Sequence, residues 1–273
     1  MSSAESEPFL HKKSLGQHFL TSDYVPKKMC AAANLQPNDL VVEIGPGTGV
    51  LTKEILASGA QVLALETDKR AITVLEDVFA AEISSGQLRI IQHDARKIAP
   101  RDFDLVDQQY TVVANIPYYI SSLLFRSFLE TNVQPHTLVF LVQKEVAARI
   151  AREKKESLLS LSVKVFGQPT YVDTIKRGHF NPPPRVDSAI IAVNNISRDF
   201  FKEINQSLFF EVLHLGFGQK RKQLLSNLSQ NYSRAQLEKT FILLGIRLDI
   251  RAEDMGLVDW QQLLIHLQST PES

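Results

Sequence analysis

Cysteine is almost absent: Cys30 is the single thiol in 273 residues. That excludes an internal disulfide framework and any zinc site built from several thiolates. Its neighbours Met29, Ala31, Ala32 and Ala33 describe an apolar helical setting, which reads as a packed thiol rather than a nucleophile. Long apolar runs are missing too. Stretches such as Leu138 to Val142 end after five residues or so, against the ~20 that a spanning helix needs, so no membrane segment is expected. Nor is there an excess of charge of either sign. Thirty Lys and Arg balance thirty Asp and Glu, which excludes a globally basic nucleic-acid coat and an acidic tail while leaving local patches open. Residues 1–8 are rich in Ser and Glu with no apolar core. They resemble neither a secretory signal nor an Arg-rich transit peptide, and a cytoplasmic location is expected.

What is present is 44% apolar residues, enough for one large domain or one medium and one small. From residue 40 to about 150, strand-like and helix-like segments alternate. Leu40–Ile44, Val62–Leu65, Leu88–Ile91, Thr111–Ala114 and Leu138–Val142 read as short buried strands, with helices over Leu51–Leu56 and Ala71–Ala81. This pattern predicts an α/β fold with a mainly parallel sheet, whose ligands sit beyond the C-terminal strand ends. After about residue 195 only helical spacing remains, over Phe200–Leu215, Arg221–Leu228, Arg234–Leu244 and Trp260–Leu267. The expected division is a disordered tail over 1–11, an α/β domain over 12–195 and a small all-α domain over 196–273.

Glu43-Ile44-Gly45-Pro46-Gly47-Thr48-Gly49 follows a strand and opens a helix. Its glycines let the backbone approach a ligand closely, but G-x-G-x-G is not the G-x-G-x-x-G of dinucleotide folds. Glu43 in addition would repel a phosphate but could accept hydrogen bonds from, or attract, a cationic group. The next strand ends at Glu66, about twenty residues after the first glycine, where a carboxylate can accept both ribose hydroxyls. Asp94 follows the third strand, placed either to accept from an adenine amino group or to cap the next segment. Acids at successive strand ends point to a nucleoside that carries no phosphate. S-adenosylmethionine fits, with Gly45, Gly47, Glu66 and Asp94 as its contacts and no metal.

The fourth strand runs into Asn115-Ile116-Pro117-Tyr118, the N-I-P-Y form of the [DNS]-P-P-[YF] signature of amino-group methyltransferases. An exocyclic amine on adenine is a poor nucleophile because its lone pair is delocalised into the ring. If Asn115 Oδ1 and the Ile116 carbonyl accept its two N–H bonds, the nitrogen moves toward sp³ and exposes that pair for in-line attack. Pro117 stiffens the turn, and Tyr118 offers a face for the base, worth ~1–3 kcal/mol. The target must be unpaired or flipped. Phe180, ahead of Pro182-Pro183-Pro184, reads either as a second aromatic wall or as the start of a polyproline linker.

Bases concentrate locally. Residues 140–186 hold nine bases and four acids, and Lys220-Arg221-Lys222 forms a further cluster. Such stripes suit RNA phosphates but also occur on ordinary solvated faces.

Lys13-Ser14-Leu15-Gly16-Gln17-His18-Phe19-Leu20, the glycine turn, Asn115 to Tyr118, Gln143-Lys144-Glu145-Val146, Pro182-Pro183-Pro184-Arg185-Val186-Asp187-Ser188 and Phe217-Gly218-Gln219-Lys220-Arg221-Lys222 occur in this order. Together they resemble the KsgA family, the small-subunit ribosomal RNA adenine dimethyltransferases, over about residues 12–268. The resemblance implies a class I (Rossmann-like) S-adenosylmethionine-dependent methyltransferase domain with a helical C-terminal domain that docks on the ribosome. It implies transfer of two methyls to N6 of each of two adjacent adenosines. These lie in the hairpin loop near the 3′ end of 16S rRNA, in a 30S assembly particle. The enzyme implied is a monomer. Family cofactor contacts fall on His18, Leu20, Gly45, Glu66, Asp94 and Asn115. Two positions depart from the family: His18 stands where Asn is frequent, and Tyr119 where the motif commonly continues with Asn. Rival readings are an Erm-type large-subunit rRNA methyltransferase, a non-catalytic assembly factor and a small-molecule N-methyltransferase.

Overall fold

The computed structural model describes residues 18–269. The tail over 1–11 and the Lys13–Gln17 part of the first motif lie outside the described residues. In chain order the elements are β1 (Phe19–Leu20), α1 (Tyr24–Ala33), β2 (Leu40–Ile44), α2 (Val50–Ala57), β3 (Gln61–Glu66), α3 (Lys69–Val78), α4 (Ala80–Ser84) and β4 (Leu88–Gln92). Next come β5 (Thr111–Asn115), α5 (Ser121–Leu129), β6 (Thr137–Gln143), α6 (Lys144–Ala151), α7 (Leu158–Lys164), β7 (Gln168–Ile175), β8 (Phe180–Asn181) and β9 (Ser188–Asn194). Four helices follow: α8 (Gln206–Phe217), α9 (Leu224–Leu228), α10 (Arg234–Leu243) and α11 (Leu257–Ser269).

A seven-stranded sheet has the order β4-β3-β2-β5-β6-β9-β7. The β3–β4, β2–β3, β2–β5 and β5–β6 pairs are parallel. Val41, Val42, Val112, Val113 and Leu138 to Val142 are fully or almost fully buried, as strands covered on both faces require. The chain leaves β2 toward β3 on one side and returns to β5 on the other. The C-terminal ends of β2 and β5 therefore flank a topological switch point, where the crossovers diverge and leave a crevice. A separate antiparallel pair joins β1 to β8, with Leu20 opposite Phe180.

The chain divides into two compact units. One takes in the described residues up to Glu145 together with Tyr171–Ala192; the other holds Val146–Thr170 and the described residues from Val193 onward. The second unit carries a cluster of phenylalanine rings, with Phe166 5.2 Å from Phe201 and Phe201 5.5 Å from Phe209.

Three expected helices need correction, and that over Arg221–Leu228 begins only at Leu224. The helix expected over Phe200–Leu215 begins only at Gln206, because Asn205 caps it by accepting from the Leu208 amide at 3.1 Å. Phe200 and Phe201 precede it in a short 3₁₀ segment and are held by ring contacts. The helix expected over Ala71–Ala81 breaks at Phe79 into α3 and α4. Strands β7 and β9, which the pattern around the proline run does not suggest, extend the sheet beyond β6.

Candidate active site

A cavity of about 690 Å³ opens at the C-terminal ends of β2, β3, β4 and β5, within the first unit. Gly45, Gly47, Glu66, Asp94, His18 and Asn115 to Tyr118 all line it. Residues nearly a hundred positions apart in the chain thus meet at the switch point.

The glycine turn shapes one wall. Gly47 sits at φ +57°, and a Cβ there would come within 2.7 Å of the Phe19 ring. A side chain would therefore meet both backbone strain and a clash. A Cβ on Gly45 would meet nothing within 4 Å, so its face is open to a ligand. Glu43, by contrast, is not on the wall. It is 1% exposed, and its Oε2 accepts from the Thr52 hydroxyl of α2 at 2.7 Å. Burial pushes its carboxyl up to about 8. Its strand turns this residue inward, which corrects the expectation that it attracts a cationic ligand group directly.

Glu66 is 4% exposed and heavily hydrogen-bonded. Its Oε1 accepts from the amides of Thr67 at 2.7 Å and Asp68 at 2.9 Å, and its Oε2 from Gly47 at 3.1 Å. An ionised carboxylate has about four acceptor positions. This arrangement therefore leaves about one, on Oε2, for a ribose hydroxyl rather than a place for both. The same carboxylate ties the end of β3 to the glycine turn.

Asp94 caps the short turn Ala95–Lys97 through the Arg96 amide and also pairs with the Arg96 guanidinium at 2.7 Å. Those bonds to Arg96 hold its carboxyl at about 2. Asp68 and Arg70 repeat the motif after β3, at 2.6 Å. The sequence reading misses Arg96 as a neighbour of the cavity; the repeated Asp-x-Arg spacing after two successive strands is the signal that points to it. With its guanidinium on Asp94, Arg96 is neutralised as a phosphate ligand. The cavity therefore offers a pyrophosphate no unpaired Lys or Arg side chain among its lining residues, while Glu66 keeps an acceptor for a hydroxyl. S-adenosylmethionine carries hydroxyls and no pyrophosphate. His93, also on the wall, has an Nε2 that is buried without a protein partner.

The Asn115-Ile116-Pro117-Tyr118 segment leaves β5 and turns through a 3₁₀ segment, Tyr118–Ile120, into α5. Asn115 Nδ2 donates to the His18 carbonyl at 3.1 Å. A carbonyl can only accept, so the amide nitrogen must face it, and Oδ1 is the end left for a ligand. Tyr118 is fixed from two sides: its hydroxyl lies 2.7 Å from Ser188 Oγ, and its ring stacks on His18 at 5.9 Å. Burial raises its phenol further, so it remains protonated at neutral pH. The His18 Nδ1 is 2.7 Å from the Pro182 carbonyl, which requires it to carry the proton. The Asn-to-His departure thus supplies a ring that links the proline segment to Tyr118. Ser188, 0% exposed, is not singled out by the sequence alone although it closes the Val-Asp-Ser motif.

Leu20 and Phe180 do not line the cavity. They are 6% and 4% exposed, paired across β1 and β8 and packed in the core. Phe180 is therefore not an open second wall in this structure, because its side chain is buried in the core. The exposed aromatic at the cavity is Tyr119, at 66%.

Among solved structures, the 23S rRNA methyltransferase ErmE matches with a TM-score of 0.73 at 22% identity, covering 92% of this chain and 99% of that one. A dimethyladenosine transferase from Plasmodium falciparum matches with a TM-score of 0.76 at 26% identity, covering 92% and 98%. The fold is that of the Rossmann-like S-adenosylmethionine-dependent methyltransferases, with a helical C-terminal part. Residues 9–268 match the family described as Ribosomal RNA adenine dimethylase. A Dehalococcoides mccartyi (strain CBDB1) protein named Ribosomal RNA small subunit methyltransferase A is 38% identical over 263 residues, 95% of this chain and 89% of that protein. A protein of the same name from Fusobacterium nucleatum is 33% identical, covering 94% and 97%. The chain belongs to the ribosomal RNA adenine dimethylase family.

Proposed function

We propose that this protein transfers methyl groups from S-adenosylmethionine to N6 of two adjacent adenosines, giving N6,N6-dimethyladenosine. Its substrate is the hairpin loop near the 3′ end of 16S rRNA in the 30S particle, and it acts as a monomer in the cytoplasm. The observation that carries this reading is the position of Asn115, with Oδ1 left free, on the same cavity as the glycine turn and Glu66. The names of the relatives support the choice of the small subunit.

Bound S-adenosylmethionine supplies a methyl on a sulfonium, a strong electrophile that carries no phosphate. Gly45, Gly47 and Glu66 would hold its nucleoside part, with Asp94 and His93 toward the adenine. Leu20 would take part only through its backbone, since its side chain is in the core. His18 contributes by aiming Asn115. On the substrate side, Asn115 Oδ1 and the Ile116 carbonyl accept the two amine N–H bonds and release the nitrogen lone pair. Pro117 keeps this turn stiff, and Tyr118 stacks the flipped base. Stacking of ~1–3 kcal/mol offsets much of the few kcal/mol needed to extrude an adenine. Tyr118, protonated and bonded to Ser188, is no base. The proton leaves to water once alkylation has made it acidic.

The test is transfer from labelled S-adenosylmethionine to unmethylated small subunits, intact large subunits and free adenosine, followed by nucleoside digestion. N6,N6-dimethyladenosine from small subunits alone is the expected result. Label on large subunits would move the reading to the Erm type. Cofactor binding without transfer to any substrate would favour an assembly factor.

A further inference from the structure

The basic excess of residues 140–186 converges on one acid close to the reactive turn. Lys176, Arg177, Arg185 and Asp187 line a cleft of about 480 Å³. Asp187 Oδ2 pairs with Lys176 Nζ at 3.1 Å, and Oδ1 accepts the Arg177 backbone amide at 3.1 Å. Lys144 donates its backbone amide to the Asp187 carbonyl at 3.0 Å, and its side-chain charge also bears on that carboxylate. Two cations, Lys176 and Lys144, thus act on a single carboxylate, and Arg177 and Arg185 line the same cleft. Arg177 and Arg185 are exposed, and their guanidinium groups have no acidic partner among the described residues. An ordinary solvated face intersperses both signs, whereas here the positive charge is left over in a concave site.

The cleft adjoins the reactive turn. Asp187 is followed by Ser188, whose hydroxyl is 2.7 Å from that of Tyr118. Arg185 follows three consecutive prolines, which restrict the backbone that presents it. A guanidinium binds phosphate oxygens in a planar, two-point geometry. The residue that anchors Tyr118 is thus the chain neighbour of the acid in the cleft.

We propose that the cleft formed by Lys176, Arg177 and Arg185 binds a backbone phosphodiester next to the flipped adenosine, and so sets the register of the RNA against Asn115. This rests on the reading of the site as an RNA adenine methyltransferase. Asp187 orients Lys176 and the Arg177 backbone through its two oxygens, and the two arginines take the phosphate.

The experiment combines Arg177→Gln with Arg185→Gln in the full chain. Binding to unmethylated small subunits is followed over a range of salt, separately from turnover, and S-adenosylmethionine affinity is measured by calorimetry. Both side chains are exposed, so cofactor affinity and melting temperature should match wild type. The KM for small subunits should rise several-fold, and kcat should fall with it as the adenosine loses its register against Asn115. The slope of log K against log salt should become shallower by about 0.7 for each single-strand phosphate that the variant no longer neutralises. The Lys-for-Arg double variant should recover most of the slope. An unchanged KM and an unchanged salt slope in the Gln double variant would overturn the proposal. Wild-type protein that binds with a slope the variant lacks, yet forms no dimethyladenosine, would defeat the catalytic reading and leave the phosphate site standing.

Discussion

Replacing Glu66 by Gln changes one atom's chemistry at constant shape, and the structure sets what that costs. The carboxylate accepts three backbone amides, from Gly47 on one oxygen and from Thr67 and Asp68 on the other. A glutamine can point its oxygen at only one of the two sides. Facing Thr67 and Asp68 keeps two bonds and sets its NH₂ against the Gly47 N–H, donor to donor. One charge-assisted bond then disappears, worth ~1.5–3 kcal/mol. The glycine turn is released at the same point, and a ribose hydroxyl there finds a donor in place of an acceptor. Glu66→Gln should therefore weaken S-adenosylmethionine binding by roughly tenfold to a hundredfold, or ~1.4–2.8 kcal/mol. Titration calorimetry with S-adenosylmethionine reads this directly, and thermal unfolding without ligand separates it from loss of fold. A dissociation constant equal to wild type would refute the role given to Glu66.

Asn115→Ala should lower kcat by about a hundredfold or more, the usual cost of removing one preorganised polar group from a transition state. Cofactor affinity should fall far less than turnover, and single-turnover methylation alongside calorimetry checks both. Ser188→Ala frees the Tyr118 hydroxyl and should reduce kcat several-fold while S-adenosylmethionine still binds, read in the same assays. Neutralising Lys220, Arg221 and Lys222 together should weaken subunit binding and flatten its salt dependence, as measured by filter binding. Glu43 has a carboxyl raised from 4.5 to about 8 in the folded chain. The folded state therefore keeps a proton that the unfolded state releases, and this contribution to stability, full below pH ~4.5, is lost as pH rises through about 8. Glu43→Gln, which still accepts from Thr52, should remove that decline. Urea unfolding of both proteins at pH 5, 6.5 and 8 should show the variant gaining relative to wild type as pH rises; parallel curves would contradict it.

The alternating apolar segments are enough to predict the parallel sheet, since a strand buried on both faces must be apolar along its length. The glycine turn, Glu66, Asp94 and Asn115 to Tyr118 are legible because each follows a strand, and strand ends in such a sheet meet at one place. Local pattern does not report which atoms face each other across the chain. That is why Phe180, which the sequence offers as an aromatic wall or the start of a proline linker, is paired with Leu20 and buried in the core, and why Glu43 faces Thr52 instead of the cavity. The three amides on Glu66, the turn of Asn115 toward His18 and the anchoring of Tyr118 by Ser188 join residues up to 97 positions apart. Residue types and their order along the chain determined the class of chemistry. The free end of Asn115, the remaining acceptor on Glu66 and the convergence of Lys176, Arg177 and Arg185 were decided by tertiary packing, because a hydrogen bond depends on direction and distance that no sequence spacing contains.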